Sequence, residues 1–205
     1  MLFLKVKKKI FFIGFLLLSM NNISAAVELS AADSTVLQKF FNQQEASANF
    51  VQIGPKGQRS QGAVYLQRPG KLRFIYDNSP LEIVADGKSV AVHNTNLNNW
   101  SLYNINQTPL RFLLEKDFQN IMQKVNKTRT TPDAKIFSFV DSSKFGGKLD
   151  LYFDKKTQLL KKWVVIDTQN LKTTVILSNF SPEILPDKNL FRIPYQDIAM
   201  QRKDR

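Results

Sequence analysis

The chain has 205 residues, 29 basic against 17 acidic, a net charge of +12, 43% hydrophobic residues and no cysteine. The missing cysteine excludes a disulfide framework, a thiol nucleophile and a lipidated cysteine at a mature N-terminus. The positive charge favours acidic partners or anionic surfaces, and nucleic acid is not expected: Lys71, Arg73, Lys124, Lys127, Arg129, Lys144, Lys161, Lys162 and the tail Arg202-Lys203-Asp204-Arg205 are scattered rather than gathered in a basic helix.

Lys5, Lys7, Lys8 and Lys9 precede an apolar run from Ile10 to Leu18, and no acidic residue occurs before Glu28. Ser24-Ala25-Ala26 then supplies a small-residue cleavage site. This order is that of a secretory signal peptide over residues 1–26, cleaved near Ala26. Spanning a bilayer takes about 20 apolar residues, and Asn21 and Asn22 cut this run short. The mature protein is therefore expected in the periplasm of a bacterium with an outer membrane, or outside the cell, soluble and untethered. Four of the 29 basic residues lie in the leader, so the chain from Val27 keeps a net charge of +8. Residues 27–205 are long enough for one domain with a substantial core, and no repeat or linker divides them.

Ser30 is a candidate helix cap, and Val36, Leu37, Phe40 and Phe41 recur at helical spacing to about Gln44. The period then changes to two. Strands are predicted over 46–53, 61–67, 71–76, 81–85, 89–94 and 100–104, separated by turn signals such as Pro69-Gly70 and the hairpin signal Asp86-Gly87. Pro109 opens a short helical insertion in which Leu110, Leu113 and Leu114 share a face. Five more strands are predicted over 118–125, 135–141, 148–154, 159–167 and 173–180, followed by an irregular end with Pro182, Pro186 and Pro194. About eleven strands at this spacing predict a mainly β fold with a few helices and one large antiparallel sheet, curled or partly closed.

The strand faces carry aromatic and aliphatic stripes: Leu72, Phe74 and Tyr76; Leu149, Leu151 and Phe153; Phe137 and Phe139; Trp163 and Val165. One short helix and a leucine-bearing insertion are a thin filling for such a concavity, which leaves either ordinary core or a ligand cavity. Catalytic chemistry is sparse. His93 is the single histidine, no G-x-S-x-G or H-E-x-x-H motif accompanies it, and Asp150 and Asp154 are expected to face solvent. Neither an enzyme nor a metal or cofactor protein is expected.

The segment Gly62-Ala63-Val64-Tyr65-Leu66-Gln67-Arg68-Pro69-Gly70-Lys71-Leu72-Arg73-Phe74-Ile75-Tyr76, followed by Ile83-Val84-Ala85-Asp86-Gly87-Lys88-Ser89-Val90, resembles the family of the outer-membrane lipoprotein carrier LolA. Ala48-Asn49-Phe50-Val51-Gln52 before it and the Thr108-Pro109-Leu110 helix after it keep the family order. The resemblance spans the mature chain, strongest from Ala48 to Leu114. It implies a half-open barrel with a helical lid over an apolar cavity, and a lid latch at Arg68. It implies an acyl-chain cavity at Leu72, Phe74, Tyr76, Leu81, Ile83, Trp100, Phe137, Phe139, Leu149, Leu151, Phe153, Trp163 and Val165, under a lid helix bearing Leu110, Leu113 and Leu114. The stretch Val90-Ala91-Val92-His93 departs from the family in being less aromatic.

The resemblance further implies a periplasmic chaperone that takes acylated lipoproteins from an inner-membrane lipoprotein-releasing ABC transporter complex to an outer-membrane lipoprotein receptor, as a monomer. Two alternatives use the same cavity: a carrier of another amphiphile, such as a glycolipid, and a sensor or scaffold module. An envelope hydrolase would need a nucleophile beside His93.

Overall fold

The computed structural model describes residues 28–141, 146–182, 187 and 189–203. The expected leader, residues 1–26, lies outside them, as do Lys144, Pro186, Asp204 and Arg205. The chain runs through α1 (Ala31–Phe41), β1 (Glu45–Ile53), β2 (Arg59–Gln67), β3 (Lys71–Tyr76), β4 (Leu81–Asp86), β5 (Ser89–Asn94) and β6 (Asn99–Asn104). Two 3-10 turns, Ile105–Gln107 and Pro109–Phe112, lead to α2 (Phe118–Gln123). Then follow β7 (Val125–Thr130), β8 (Ala134–Asp141), β9 (Gly147–Asp154), β10 (Leu160–Ile166), β11 (Lys172–Ser181) and α3 (Tyr195–Lys203).

All eleven strands form one antiparallel sheet in the order β6-β5-β4-β3-β2-β1-β11-β10-β9-β8-β7. Sequential hairpins build two arms, β1–β6 and β7–β11, and the pairing of β1 with β11 joins them at the centre. The two ends of the order, β6 and β7, do not pair, so the sheet is not closed, as the family resemblance implies. The hairpin at Asp86-Gly87 forms because the Asp86 carboxylate accepts from the N–H groups of Lys88 and Ser89 at 2.9 and 3.0 Å, an Asx-type turn.

One inner face holds nearly the whole core. Phe50 and Leu72, Phe74 and Tyr76 are buried on one arm, and Phe137, Phe139, Leu149, Leu151, Phe153 and Trp163 on the other. Helix α1 plugs the hollow between them. Ser30 caps it by accepting from Asp33 N at 3.1 Å, and its stripe of Val36, Leu37, Phe40 and Phe41 packs into the same cluster.

Three predicted elements differ. Residues 118–125, predicted as a strand, form α2 followed by β7. Asp117 caps α2 by accepting from Gln119 N and Asn120 N. The true edge strand Val-Asn-Lys-Thr-Arg-Thr is too polar to show a period. The irregular end contains α3, held by the burial of Ile193 and Ile198 on Val84 and Ala91 of the outer face. Asp150, expected in solvent, is 4% exposed on the outer face, where Lys148 and Arg129 reach it at 3.0 and 3.3 Å.

Candidate functional site

The inner face and the elements that cover it form the candidate site. At the β2–β3 turn, Arg68 is 4% exposed. Its Nη1 donates to the carbonyl of Gln43, just past α1, at 2.5 Å. Its Nη2 donates to the carbonyl of Leu113, in the insertion, at 3.1 Å. The guanidinium carbon lies 4.4 Å from the Phe40 ring centroid and 5.0 Å from that of Phe41, within cation–π range. One planar side chain thus bridges both segments that cover the concavity. Backbone bonds run alongside: Arg68 N donates to Gln44 O at 2.8 Å, and Gly70 N to Leu114 O at 3.1 Å. A side chain at Gly70 would not fit, since its φ is +75° and a Cβ there would lie 2.5 Å from Gly87 Cα.

Burial lowers the Arg68 pKa to about 9, which leaves it a cation at neutral pH. The closed arrangement therefore carries a desolvated charge, with Nε unpartnered. That cost works against the two carbonyl bonds and the ring contacts. Two further ion pairs tie the covering segments to β8: Lys135 of β8 with Asp33 of α1 at 2.8 Å, and Arg111 of the insertion with Asp141 of β8 at 2.8 Å.

Under the lid the face is dry. Phe50 packs edge-on to Phe74 and Tyr76 at 4.9 and 5.2 Å, Phe74 on Trp163 at 6.1 Å, and Phe40 on Phe153 at 5.4 Å. Tyr76 donates to Gln52 Oε1 at 3.1 Å, and burial pushes its phenol up to about 12. What remains open among Phe40, Ala48, Leu66, Leu72, Leu160 and Trp163 is about 20 Å³, room for about one water. The filling expected to be thin is nearly complete, because the aromatic rings of the sheet and α1 interlock. A cleft of about 370 Å³ at the far end of β2, lined by Val51, Arg59, Ser60, Gln61, Tyr76, Asn78 and Ser79, is predominantly polar.

The structure gathers most of the expected cavity residues into this one cluster. Leu72, Phe74, Tyr76, Phe137, Phe139, Leu149, Leu151, Phe153 and Trp163 are buried in it, and Ile83 and Val165 pack against it half-buried. Leu113 and Leu114 are buried beneath the lid and Leu110 is half-buried. Leu81 shares the inner side of β4 but is 39% exposed near its end. Trp100 is misplaced by the sequence reading. It packs on the outer face with Val84 and Ala91 and stacks on His93 at 3.9 Å, because the bend at Asn94–Asn99 resets which residues of β6 point inward. Ala85 and Val90 form the inner wall beside β3, Val90 in the stretch read as less aromatic than the family. Sequence reasoning missed Phe40, Phe41 and Gln43 as partners of Arg68; the helical stripe was visible, but not what it would meet.

His93 Nδ1 lies 3.5 Å from Glu82 Oε2, which also binds Arg73 at 3.1 Å. Among the described residues no group of His, Cys, Asp or Glu is arranged to hold a metal ion.

Residues 42–194 match the family described as outer membrane lipoprotein carrier protein LolA. Comparison with curated proteins yields no significant match. Among solved structures, a conserved protein from Thermus thermophilus is 16% identical, with a TM-score of 0.46 and coverage of 81% of this chain and 95% of that one. A LolA superfamily protein from Nitrosomonas europaea is 10% identical, with a TM-score of 0.42, 82% of this chain and 100% of that one. A chain of the MucA/MucB complex from Pseudomonas aeruginosa is 13% identical, with a TM-score of 0.43, 79% of this chain and 60% of that one.

Proposed function

The chain belongs to the family of the outer membrane lipoprotein carrier protein LolA, and on that premise we propose that it carries the acyl chains of lipoproteins across the periplasm. In this reading residues 1–26 direct export and residues 27–205 form one carrier domain. The domain takes its cargo from an inner-membrane lipoprotein-releasing ABC transporter complex and hands it to an outer-membrane receptor.

The observation that carries the reading is the combination of an apolar inner face with a helix, α1, that fills it and is tied through Arg68. An acyl chain of about 16 carbons costs roughly 12 kcal/mol to expose to water, at about 0.8 kcal/mol per CH₂. A ligand of that size needs on the order of 300 Å³ or more, far above the 20 Å³ open beneath α1 among Phe40, Ala48, Leu72 and Trp163. Loading therefore means displacing α1. Its four buried apolar side chains, Val36, Leu37, Phe40 and Phe41, are worth about 1.5–3 kcal/mol each. Exchanging them for one acyl chain is then close to balanced. The latch bonds of Arg68 tip the balance toward the empty form, which lowers affinity by population shift and permits hand-off.

The test is to purify the protein with its natural cargo from the periplasm and identify what is bound by mass spectrometry. Acylated polypeptides are expected. A glycolipid or other amphiphile alone would replace the cargo while keeping the cavity, and a bare protein after mild, detergent-free isolation would overturn the reading.

A further inference from the structure

Strand register assembles a second surface, on the side of the sheet away from the core. Lys127 pairs with Ser138, Ser138 with Asp150, Asp150 with Val164, and Val164 with Thr174. That row crosses β1 and β2 through Ile53 to Arg59. A second row runs Arg129, Ile136, Tyr152, Lys162 and Ile176, and a third Val140, Lys148, Ile166 and Lys172. Residues paired across strands share a face, and the rows between these hold Phe137, Leu151 and Trp163 of the core.

These three rows carry six cations, Arg59, Lys127, Arg129, Lys148, Lys162 and Lys172, and one carboxylate, Asp150; the next row, Ala134 with Asp154, adds a second carboxylate, which Lys161 meets at 3.8 Å. Asp150 engages Lys148 and Arg129, while Lys162 lies 3.9 Å over the Tyr152 ring. Arg59, Lys127 and Lys172 are exposed. Val140 and Ile176, 46% and 40% exposed, stand among these charges. The other arm differs on the same side: α3 covers Val84 and Ala91, and Arg73 is paired with Glu82. Five strands about 4.8 Å apart make the open surface roughly 20 Å wide.

We infer that the outer face of β7–β11, with Arg59, docks on bilayers rich in anionic phospholipid. Four lysines within one patch suit a fluid anionic surface and oppose a packed protein interface, whose core is depleted in lysine. The exposed aliphatics fit the headgroup boundary. The inference is independent of what the inner face carries: it puts the protein at the membrane, whatever the cargo.

The experiment is vesicle flotation of the exported protein with phosphatidylglycerol–phosphatidylcholine mixtures and with phosphatidylcholine alone. Each cation near an anionic surface contributes about a fivefold factor to partitioning. Arg59→Gln, Lys127→Gln and Lys172→Gln together should weaken binding on the order of a hundredfold. A matched control, Lys39→Gln, Lys88→Gln and Lys116→Gln, removes the same charge from exposed positions elsewhere and should change it less than threefold. Binding by the native protein should need the anionic lipid and fall steeply with salt. No flotation at low salt, equal losses in the two triple variants, or capture by an immobilised acidic protein without vesicle binding would each overturn the assignment. Phe74→Glu should still float, which separates this face from the cavity.

Discussion

On the inner side of β8 and β9, Phe137, Phe139, Leu149, Leu151 and Phe153 are 0% exposed. On the outer side of the same two strands Val140 is 46% exposed, and a third of the Lys148 side chain meets water. The backbone pairing is common to both. What differs is the cover. The inner face is too apolar to stand in water and borrows α1 and the insertion, each tied at a few polar points. Among the described residues the outer face is covered by its own long side chains, and its buried carboxylate, Asp150, is neutralised by Lys148 and Arg129. A cover tied at few points can leave, whereas a face that covers itself has nothing to exchange. In the proposed function it is the inner face that takes cargo.

The largest expected effect is on the inner face. Phe74→Glu puts a carboxylate among Phe50, Tyr76 and Trp163, a burial without a partner that costs several kcal/mol. Acyl-chain loading should be abolished, measured by lipoprotein release from membranes into soluble complex, with circular dichroism to show that the variant is folded. Normal yield from a folded variant would assign the cargo to another face.

The next effect is on the tie between cover and face. Arg68→Leu removes two charge-assisted hydrogen bonds, each worth about 1.5–3 kcal/mol, and leaves Gln43 and Leu113 carbonyls without their donor. The open form should gain at least tenfold: loading persists or tightens, while transfer to outer-membrane acceptors falls by a similar factor. Arg68→Lys keeps the charge but not the fork and should fall between the two. Normal transfer by Arg68→Leu would remove the latch and leave the carrier reading standing.

Changes on the outer face sharpen the contrast from the other side. Asp150→Asn keeps the shape and releases Lys148 and Arg129, which already reach solvent. Stability should change by no more than about 1 kcal/mol in urea unfolding, with loading unaffected. Smallest of all, His93→Gln loses its stack on Trp100 and its contact with Glu82, and should leave carrier activity within twofold. Complete loss in a folded protein would revive the hydrolase reading or place His93 in a docking contact.

Much of this was legible in the chain itself. Period-two alternation from Glu45 to Tyr76 and from Lys135 to Val165, with turn residues such as Asp86-Gly87, determined the strands and their antiparallel order, since a strand with unlike faces must bury one of them. The resemblance carried by the R-P-G-K-L-R-F motif implied a latch at Arg68, and the stripe of Val36, Leu37, Phe40 and Phe41 predicted the helix that became α1. Only the tertiary structure decided the rest. Alternation tells that two faces differ but not which is inner once a loop intervenes, so Trp100 fell on the outside. The fates of Arg68 and Asp150 depend on partners 25 to 45 and about 20 residues away, and no local pattern encodes a carbonyl that arrives from another segment. Helix α3 has a mixed composition and acquires its place by covering Val84 and Ala91, a patch that exists only after β4 and β5 have paired.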